Sequence, residues 1–305
     1  MNTGTNTGTN TGIKTDPLRA GLWMLGAIVS FSAMAVAGRE VAPVLNTFEL
    51  MFYRSVIGFV LVLALVAASP LGTAQLATKH PRQHVWRNVV HFAGQNAWFY
   101  GVAVIPLSQL VALEFTNPLW VALLAPLLLG ERMTLMRACA AVLAFVGVLI
   151  VARPGIAPVE WGHAAGLAAA LFFALNTIFT RRIMGHDTVI CVMFWMTASQ
   201  AVMGLIFALP GGIPWPNAGV LVWVAVAGVC GLTAHFALTS ALSHAPATVV
   251  APMEFGRLPL IALLGYLLYT EPLELAVALG AVLIVAGNLL NLRSEHMQAR
   301  PRTAI

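Results

Sequence analysis

Residues 188–253 read TVICVMFWMTASQAVMGLIFALPGGIPWPNAGVLVWVAVAGVCGLTAHFALTSALSHAPATVVAPM, 66 consecutive positions without an aspartate, glutamate, lysine or arginine. A helix needs about 20 mainly apolar residues, each rising about 1.5 Å, to cross the hydrocarbon core of a bilayer. This stretch alone therefore holds about two to three crossings. Ala20–Gly38, Ser55–Thr78, Asn88–Leu113 and Trp161–Thr180 are equally free of those four residue types. A transmembrane barrel would show alternating segments of about ten residues instead. The chain reads as an all-α polytopic membrane protein.

Composition agrees. The 305 residues are 59% hydrophobic and 9% charged, whereas soluble domains carry about 25% charged residues to cover their surface. Cys139, Cys191 and Cys230 fall in apolar runs with no pairing pattern, and read as small buried hydrophobes.

Outward from that stretch, the pattern places ten helices at approximately 18–38, 48–68, 86–105, 107–129, 134–152, 162–181, 188–209, 218–241, 248–269 and 273–292. The Thr-Gly-Asn repeat of Met1–Thr11 has nothing to bury, so residues 1–16 read as a disordered tail. Residues 294–305 read as a second, cytoplasmic tail. The longest connection, Ser69–Val85, carries Lys79, His80, Arg82 and His84 and reads as a solvated basic loop. His80 and His84 stand four apart without a third ligand nearby, so no metal site is expected.

Cytoplasmic segments concentrate Lys and Arg. With the N-terminus inside and ten crossings, Lys14, Arg19, Lys79, Arg82, Arg87, Arg132, Arg137, Arg181, Arg182, Arg293, Arg300 and Arg302 all fall inside. Only Arg39 and Arg153 fall outside. Both termini are therefore expected in the cytoplasm. The net charge of +5 is topological, not a nucleic-acid footprint.

An internal repeat runs at an offset of 140. Aligning Ala103–Arg153 with Ser243–Arg293 without a gap gives 17 identities in 51 positions. They include Pro106/Pro246, Glu114/Glu254, Phe115/Phe255, Glu131/Glu271, Gly147/Gly287 and Arg153/Arg293. Apolar matches come easily in membrane helices; repeated glutamates, a proline and an arginine do not. The expected domains are two five-helix repeats, residues 17–155 and 156–293. An odd number of crossings per repeat inverts the second relative to the first. Inverted repeats characterise secondary transporters, with the solute site near the midplane at the repeat interface.

Two segments resemble the drug/metabolite transporter superfamily, in its EamA-type branch. One is Ile105-Pro106-Leu107-Ser108 leading into Leu113-Glu114-Phe115-Thr116-Asn117-Pro118. The other is Leu129-Gly130-Glu131-Arg132, followed by Gly147-Val148-Leu149-Ile150 and Arg153-Pro154-Gly155. The second half departs, with Tyr269-Thr270-Glu271 in place of Leu-Gly-Glu and Pro259 where an exact copy would keep the spacing of Pro118. The resemblance implies a bacterial inner-membrane transporter of small organic molecules, similar to exporters of amino acids and to uptake proteins for vitamins or nucleoside-like metabolites.

Ionisable side chains at bilayer depth cost about 2.5–3.5 kcal/mol each on insertion scales, and by default mark function. Glu114 follows Pro106 by eight residues, about 12 Å along a helix, and Glu254 follows Pro246 equivalently from the other side. Asn117 and Arg257 lie three residues further on, on the same helix faces. Gln95 corresponds to His235 under the same offset. These six residues, with Arg54 and Trp98, are the candidate solute-binding or coupling set. The bland alternatives are ion pairs that merely fix packing, Glu254 with Arg257 or Glu114 with Arg54.

Other polar and aromatic positions carry two readings each. His91, Gln95 and Trp98 share one face. Trp98, Tyr100, Trp120 and Trp195 either stack a planar ligand or sit at the interface and in packing. Asn176, Thr177 and Gln200 either line the same cavity or bond between helices. The small residues Gly166–Ala170 read as close helix packing. Glu131 and Glu271, in short connections, read as caps of the helices that follow.

The expected function is secondary active transport of a small polar or amphipathic metabolite by alternating access. The bilayer and the solute are its partners; proton coupling and a homodimer are both compatible with the pattern. An integral membrane enzyme of the transferase type is the alternative, but no span carries the clustered carboxylates that magnesium-phosphate chemistry requires. No catalytic residue, cofactor or nucleotide-binding loop is expected. A channel or scaffold would need a filter-like ring or an additional domain, which the sequence lacks.

Overall fold

The computed structural model describes residues 16–129, 134–153, 160–183, 186–245 and 247–299, and these contain helices and no strand. The helices are α1 (Pro17–Val41), α2 (Thr47–Ala68), α3 (Pro81–Val104), α4 (Leu107–Glu114), α5 (Asn117–Leu129), α6 (Leu135–Ala152), α7 (Trp161–Ile183), α8 (Val189–Ala208), α9 (Ala218–His244), α10 (Ala247–Glu254), α11 (Arg257–Tyr269) and α12 (Leu275–Ala299). The tail 1–15, Glu131, Arg132, Pro154, Gly155, Pro246 and residues 300–305 lie outside the described residues.

Local sequence sets the helix starts. Asn46 accepts from Phe48 and Glu49 N–H while Glu49 Oε2 accepts from Asn46 N–H, a reciprocal capping box at α2. Thr188 and Asn217 cap α8 and α9 through their side chains. Pro81 starts α3 about five residues earlier than the hydropathy pattern suggested, because proline is favoured in the first turn. Arg82 and Arg87 therefore lie on a helix, and Arg87 is buried, with Nε donating to Thr180 Oγ1 at 2.7 Å.

Among the described residues, eight segments are long and apolar enough to cross a membrane, one of them Leu107–Leu124, where α4 runs into α5. The molecule is thus a multi-pass membrane protein. Two of the ten expected spans are not among these eight. α3 is long enough, but it carries Arg87, Asn88, His91, Gln95 and Asn96, all turned inward and buried. The other is broken between α10 and α11. Large apolar residues such as Leu25, Val60, Phe145, Val202, Val222 and Val282 are exposed, as lipid-facing positions should be.

The spans expected at 107–129 and 248–269 are each interrupted in the middle. Pro118 and Pro259 lie in the first turns of α5 and α11, where the missing N–H takes a bond out of the helical ladder. Thr116 adds a second device, its hydroxyl donating to Leu113 O at 2.7 Å. The Phe115 carbonyl left at the break accepts from Asn288 Nδ2 of α12 at 2.6 Å. This satisfies a polar group that hydrocarbon would penalise.

The helices pair as α1 with α9, α3 with α7, α2 with α8 and α6 with α12. Exchanging the repeats (α1 for α7, α3 for α9, α2 for α8, α6 for α12) returns the same pairings. Residue contacts obey the exchange too. A Cβ on Gly147 would meet Gly280 O at 2.7 Å, and one on Gly287 would meet Ala140 O at 2.8 Å. Gly147 and Gly287 are repeat mates, as are Ala140 and Gly280, so one close approach is written twice. Phe115 stacks edge-to-face on its own mate Phe255, ring centroids 5.2 Å apart. The two rings sit where a pseudo-two-fold axis passes. Gly166 meets Leu110 and Leu113, so the small-residue run serves close packing as expected.

Candidate functional site

The two breaks bring four candidate residues to one place. Glu114 is the last residue of α4 and Asn117 the first of α5; Glu254 ends α10 and Arg257 begins α11. Together with Gln95 and Trp98 of α3 and His235 of α9, they line a cavity of about 220 Å³. Its wall also includes His91, Asn176 and Thr177, and the rings of Phe31, Phe115 and Phe173.

Charge in the cavity is paired across the repeats. Arg257 Nη2 lies 2.7 Å from Glu114 Oε1, and both side chains are largely shielded from solvent. Trp98 Nε1 donates to the other carboxylate oxygen at 2.8 Å. The Arg257 guanidinium is flanked by the rings of Phe31 and Phe115, at 5.1 and 5.0 Å from their centroids. Neither packing pair considered from the sequence, Glu254 with Arg257 or Glu114 with Arg54, is formed: Arg257 turns to the other repeat, and no carboxylate pairs with Arg54 among the described residues. The reason is geometric. Each break re-aims the residues after it, so a three-residue spacing no longer means a shared face.

Repeat exchange maps the Glu114–Arg257 pair onto Glu254 and Asn117. At that second position Asn117 stands where Arg257 stands in the other repeat, an amide in place of a cation. Three polar atoms of the cavity wall are buried without a partner: Gln95 Oε1, Asn176 Oδ1 and Arg257 Nε. Unpaired buried groups are costly to a fold and are the ones a polar solute would satisfy.

Arg54 is not in the cavity wall. Its guanidinium packs over Phe99, 5.3 Å from the ring centroid, and against the bare Cα of Gly231. Gln200 stands one layer back, with Nε2 bonded to His91 Nδ1 at 2.9 Å. Of the four candidate stacking aromatics only Trp98 reaches the cavity. Tyr100 is exposed, Trp120 packs near Ala174 and Ile178, and Trp195 lies against His84. Phe31, Phe115 and Phe173 were not anticipated. The identity of Phe115 with Phe255 in the repeat was the available signal for one of them.

At the end of the molecule where α1, α3, α6 and α11 finish, polar groups tie the two repeats together. Arg39 pairs with Glu271 at 3.2 Å and donates to Ile105 O at 2.6 Å. Tyr269 Oη donates to Glu40 at 2.9 Å, and Arg153 pairs with Glu274. Glu271 does not cap the helix that follows it. Its Oε2 accepts from Leu107 N–H, the first residue of α4, at 2.9 Å. It can do so because Gly265 beneath it has no Cβ. Burial pushes the Glu271 carboxyl up from the ordinary range, against the opposing pull of Leu107 N–H and Arg39.

At the opposite end the basic loop is not wholly solvated. His84 is fully buried, with Nε2 2.8 Å from Asp187 Oδ2. Burial raises the Asp187 carboxyl, but hydrogen bonds from Thr78 and His84, with the imidazoles of His84 and His80 nearby, hold it below the ordinary range.

Comparison with known proteins agrees with this architecture. The model of the EamA-like transporter family matches twice, over residues 18–153 and 160–293. A riboflavin transporter of Rhizobium johnstonii is 28% identical, over 94% of this chain and 96% of its own length. An S-adenosylmethionine uptake transporter of Rickettsia bellii is 26% identical, over 93% and 96%. A riboflavin transporter of Vibrio cholerae is 29% identical, over 90% and 92%. One solved crystal structure superposes with a TM-score of 0.63 at 20% identity, over 92% of this chain and 99% of that one, and shares the fold. The family and these relatives are transporters rather than enzymes, which removes the transferase alternative.

Proposed function

We propose that this chain, which belongs to the EamA-like transporter family, carries a small metabolite across a bacterial inner membrane by alternating access. The observation that carries the reading is the Glu114–Arg257 pair, formed between the repeats at two broken helices inside a cavity lined by aromatic and polar side chains. Broken helices at a repeat interface are where secondary transporters bind solute.

In this reading α3 and the α10–α11 pair also cross the bilayer, giving ten crossings in two inverted repeats, 17–155 and 156–293. Both termini are cytoplasmic. The Arg39–Glu271 end then faces the periplasm and is the closed end. The cavity is smaller than the about 300–1,000 Å³ of ordinary ligand sites, so a solute enters as the halves part at the cytoplasmic end. The site is complete within one chain.

The solute class follows from the wall. Trp98, Phe31, Phe115 and Phe173 offer faces and edges for a planar ring, while the Gln95 and Asn176 amides offer hydrogen bonds at its rim. A nitrogen heteroaromatic of vitamin or nucleoside type fits this chemistry better than an aliphatic amino acid. Arg257 and Glu254 take the polar substituents. Glu114 is the coupling group: a proton on its carboxyl discharges the pair and frees Arg257 for the solute.

Thermal unfolding of the detergent-purified protein tests the reading, with riboflavin, S-adenosylmethionine, nucleosides and amino acids as probes. A ligand that binds only the folded state raises the midpoint. The account expects a heteroaromatic probe to do so in the wild type and not in Arg257→Ala. A shift of equal size in Arg257→Ala and in Gln95→Ala would remove the cavity as its site.

A further inference from the structure

The cytoplasmic-end cluster holds a donor set that transport does not use. His84 of α3, Asp187 of the α7–α8 connection and Cys191 of α8 place their ligand atoms within 4.8 Å of one another. The side chains of His84 and Cys191 are fully buried and that of Asp187 is 6% exposed. His84 Nδ1 is buried without a hydrogen-bond partner. Thr78 Oγ1 donates to the same Asp187 oxygen at 2.7 Å, and the Cys191 thiol points to Leu76 O at 3.5 Å. Trp195 stacks on the His84 ring, with centroids 5.7 Å apart. The rings of His80 and His186 lie tilted against each other, centroids 4.9 Å apart, in the same two loops.

We propose that His84, Asp187 and Cys191 form a binding site for a divalent metal ion of the zinc class. The chemistry of the set selects the ion. Imidazole, carboxylate and thiolate together suit Zn²⁺, whereas Mg²⁺ and Ca²⁺ take oxygen ligands. The dimensions fit as well. Ligand bonds of about 2.0–2.3 Å around a tetrahedral ion separate neighbouring donors by about 3.3–3.8 Å, and small side-chain shifts from the present arrangement reach that spacing.

Protons balance. The thiol loses its proton to solvent. The proton shared between His84 Nε2 and Asp187 moves to Nδ1, which has no other partner, and Nε2 turns its lone pair to the metal. Thr78 or water fills the fourth position.

The position gives the ion a consequence. His84 belongs to the first repeat, and Asp187 and Cys191 to the second, so the metal clamps the two halves at the end opposite Arg39–Glu271. This consequence rests on the transport reading; the site itself does not.

The test uses the full chain in detergent, stripped with chelator and then dialysed against ZnCl₂ or CoCl₂ alone. The expected result is one zinc retained per chain, and a cobalt complex with a thiolate charge-transfer band and the strong visible absorption of tetrahedral coordination. Cys191→Ser abolishes the band and weakens zinc binding about 10–100-fold, the scale of a damaged metal site. His84→Asn, matched to wild type by size-exclusion profile, weakens it likewise. Cys139→Ser, at an exposed cysteine on α6, leaves both readouts unchanged. Zinc retention by Cys191→Ser equal to wild type, or a weak octahedral cobalt spectrum without the band, would overturn the proposal. So would a chelated wild type that takes up no zinc. Failure here leaves the central cavity untouched.

Discussion

Arg257 and Glu114 hold each other at 2.7 Å across the line that separates the two repeats. Each stands at the edge of a helix break, so the pair exists only because both spans are interrupted. A buried pair is expensive to break from one side, by about 3–5 kcal/mol, since the remaining charge loses its partner in a poorly solvated place. Arg257→Ala should therefore lower the thermal midpoint in detergent clearly. Adding Glu114→Gln to it should restore a large part of the loss. A double-mutant cycle by thermal unfolding gives the coupling directly, and additive effects would show that the pair is not energetically formed.

The α6–α12 interface predicts a symmetric defect. The Cβ positions of Gly147 and Gly287 fall 2.7 and 2.8 Å from opposing carbonyl oxygens, far inside ordinary contact. Gly147→Ala and Gly287→Ala should each destabilise by about 1–3 kcal/mol, as overpacking does. Gly21→Ala, at a glycine with no neighbour within 4 Å, is the control and should be near neutral. Equal midpoints for all three variants would contradict the close approach.

Much of this was legible in the sequence, and for a physical reason. Charge-free length reports a bilayer crossing without any knowledge of packing, and an offset of 140 reports the repeat. Seven of the eight candidate residues line one cavity, six of them because position in a repeated unit carries spatial information. What failed was inference along a helix. Glu254 and Arg257 were placed on one face by spacing, but the backbone turns between them. Arg54 was placed by charge alone and packs against Phe99 and Gly231 instead. His84 sat in a polar run that looked solvated; Asp187, 103 residues away, buries it. Glu271 was read as a local cap, and it caps a helix of the other repeat. Partners distant in sequence leave no trace in local pattern.

Glu271 gives a prediction in pH. Its carboxyl is raised by burial, so the folded chain holds this proton more tightly than the unfolded chain does. The stability from this group is full below the ordinary carboxyl range and is lost as pH rises through the raised folded value. Against Glu271→Gln, which cannot titrate, the wild type should be relatively most stable near about pH 4 and lose that margin toward about pH 7. Paired thermal melts across this window check it, and a margin that grows with pH would contradict the sign.

Asn288 offers a test of how the break is kept. Its amide supplies the hydrogen bond to Phe115 O from a fully buried position. Asn288→Leu leaves that carbonyl unsatisfied, at about 1–3 kcal/mol. The loss should appear as a lower thermal midpoint, whereas Asn288→Gln should recover part of it.

The central claim is that the cavity between the repeats is the solute path. The most direct measurement is uptake into proteoliposomes of whichever probe stabilises the purified protein, with and without an imposed pH gradient. Wild type, Glu114→Gln and Arg257→Ala are compared at matched incorporation. The account predicts that Arg257→Ala loses uptake at least about tenfold, a difference of about 1.4 kcal/mol, and that Glu114→Gln transports without response to the gradient. Wild-type rates and gradient dependence in both variants would contradict it.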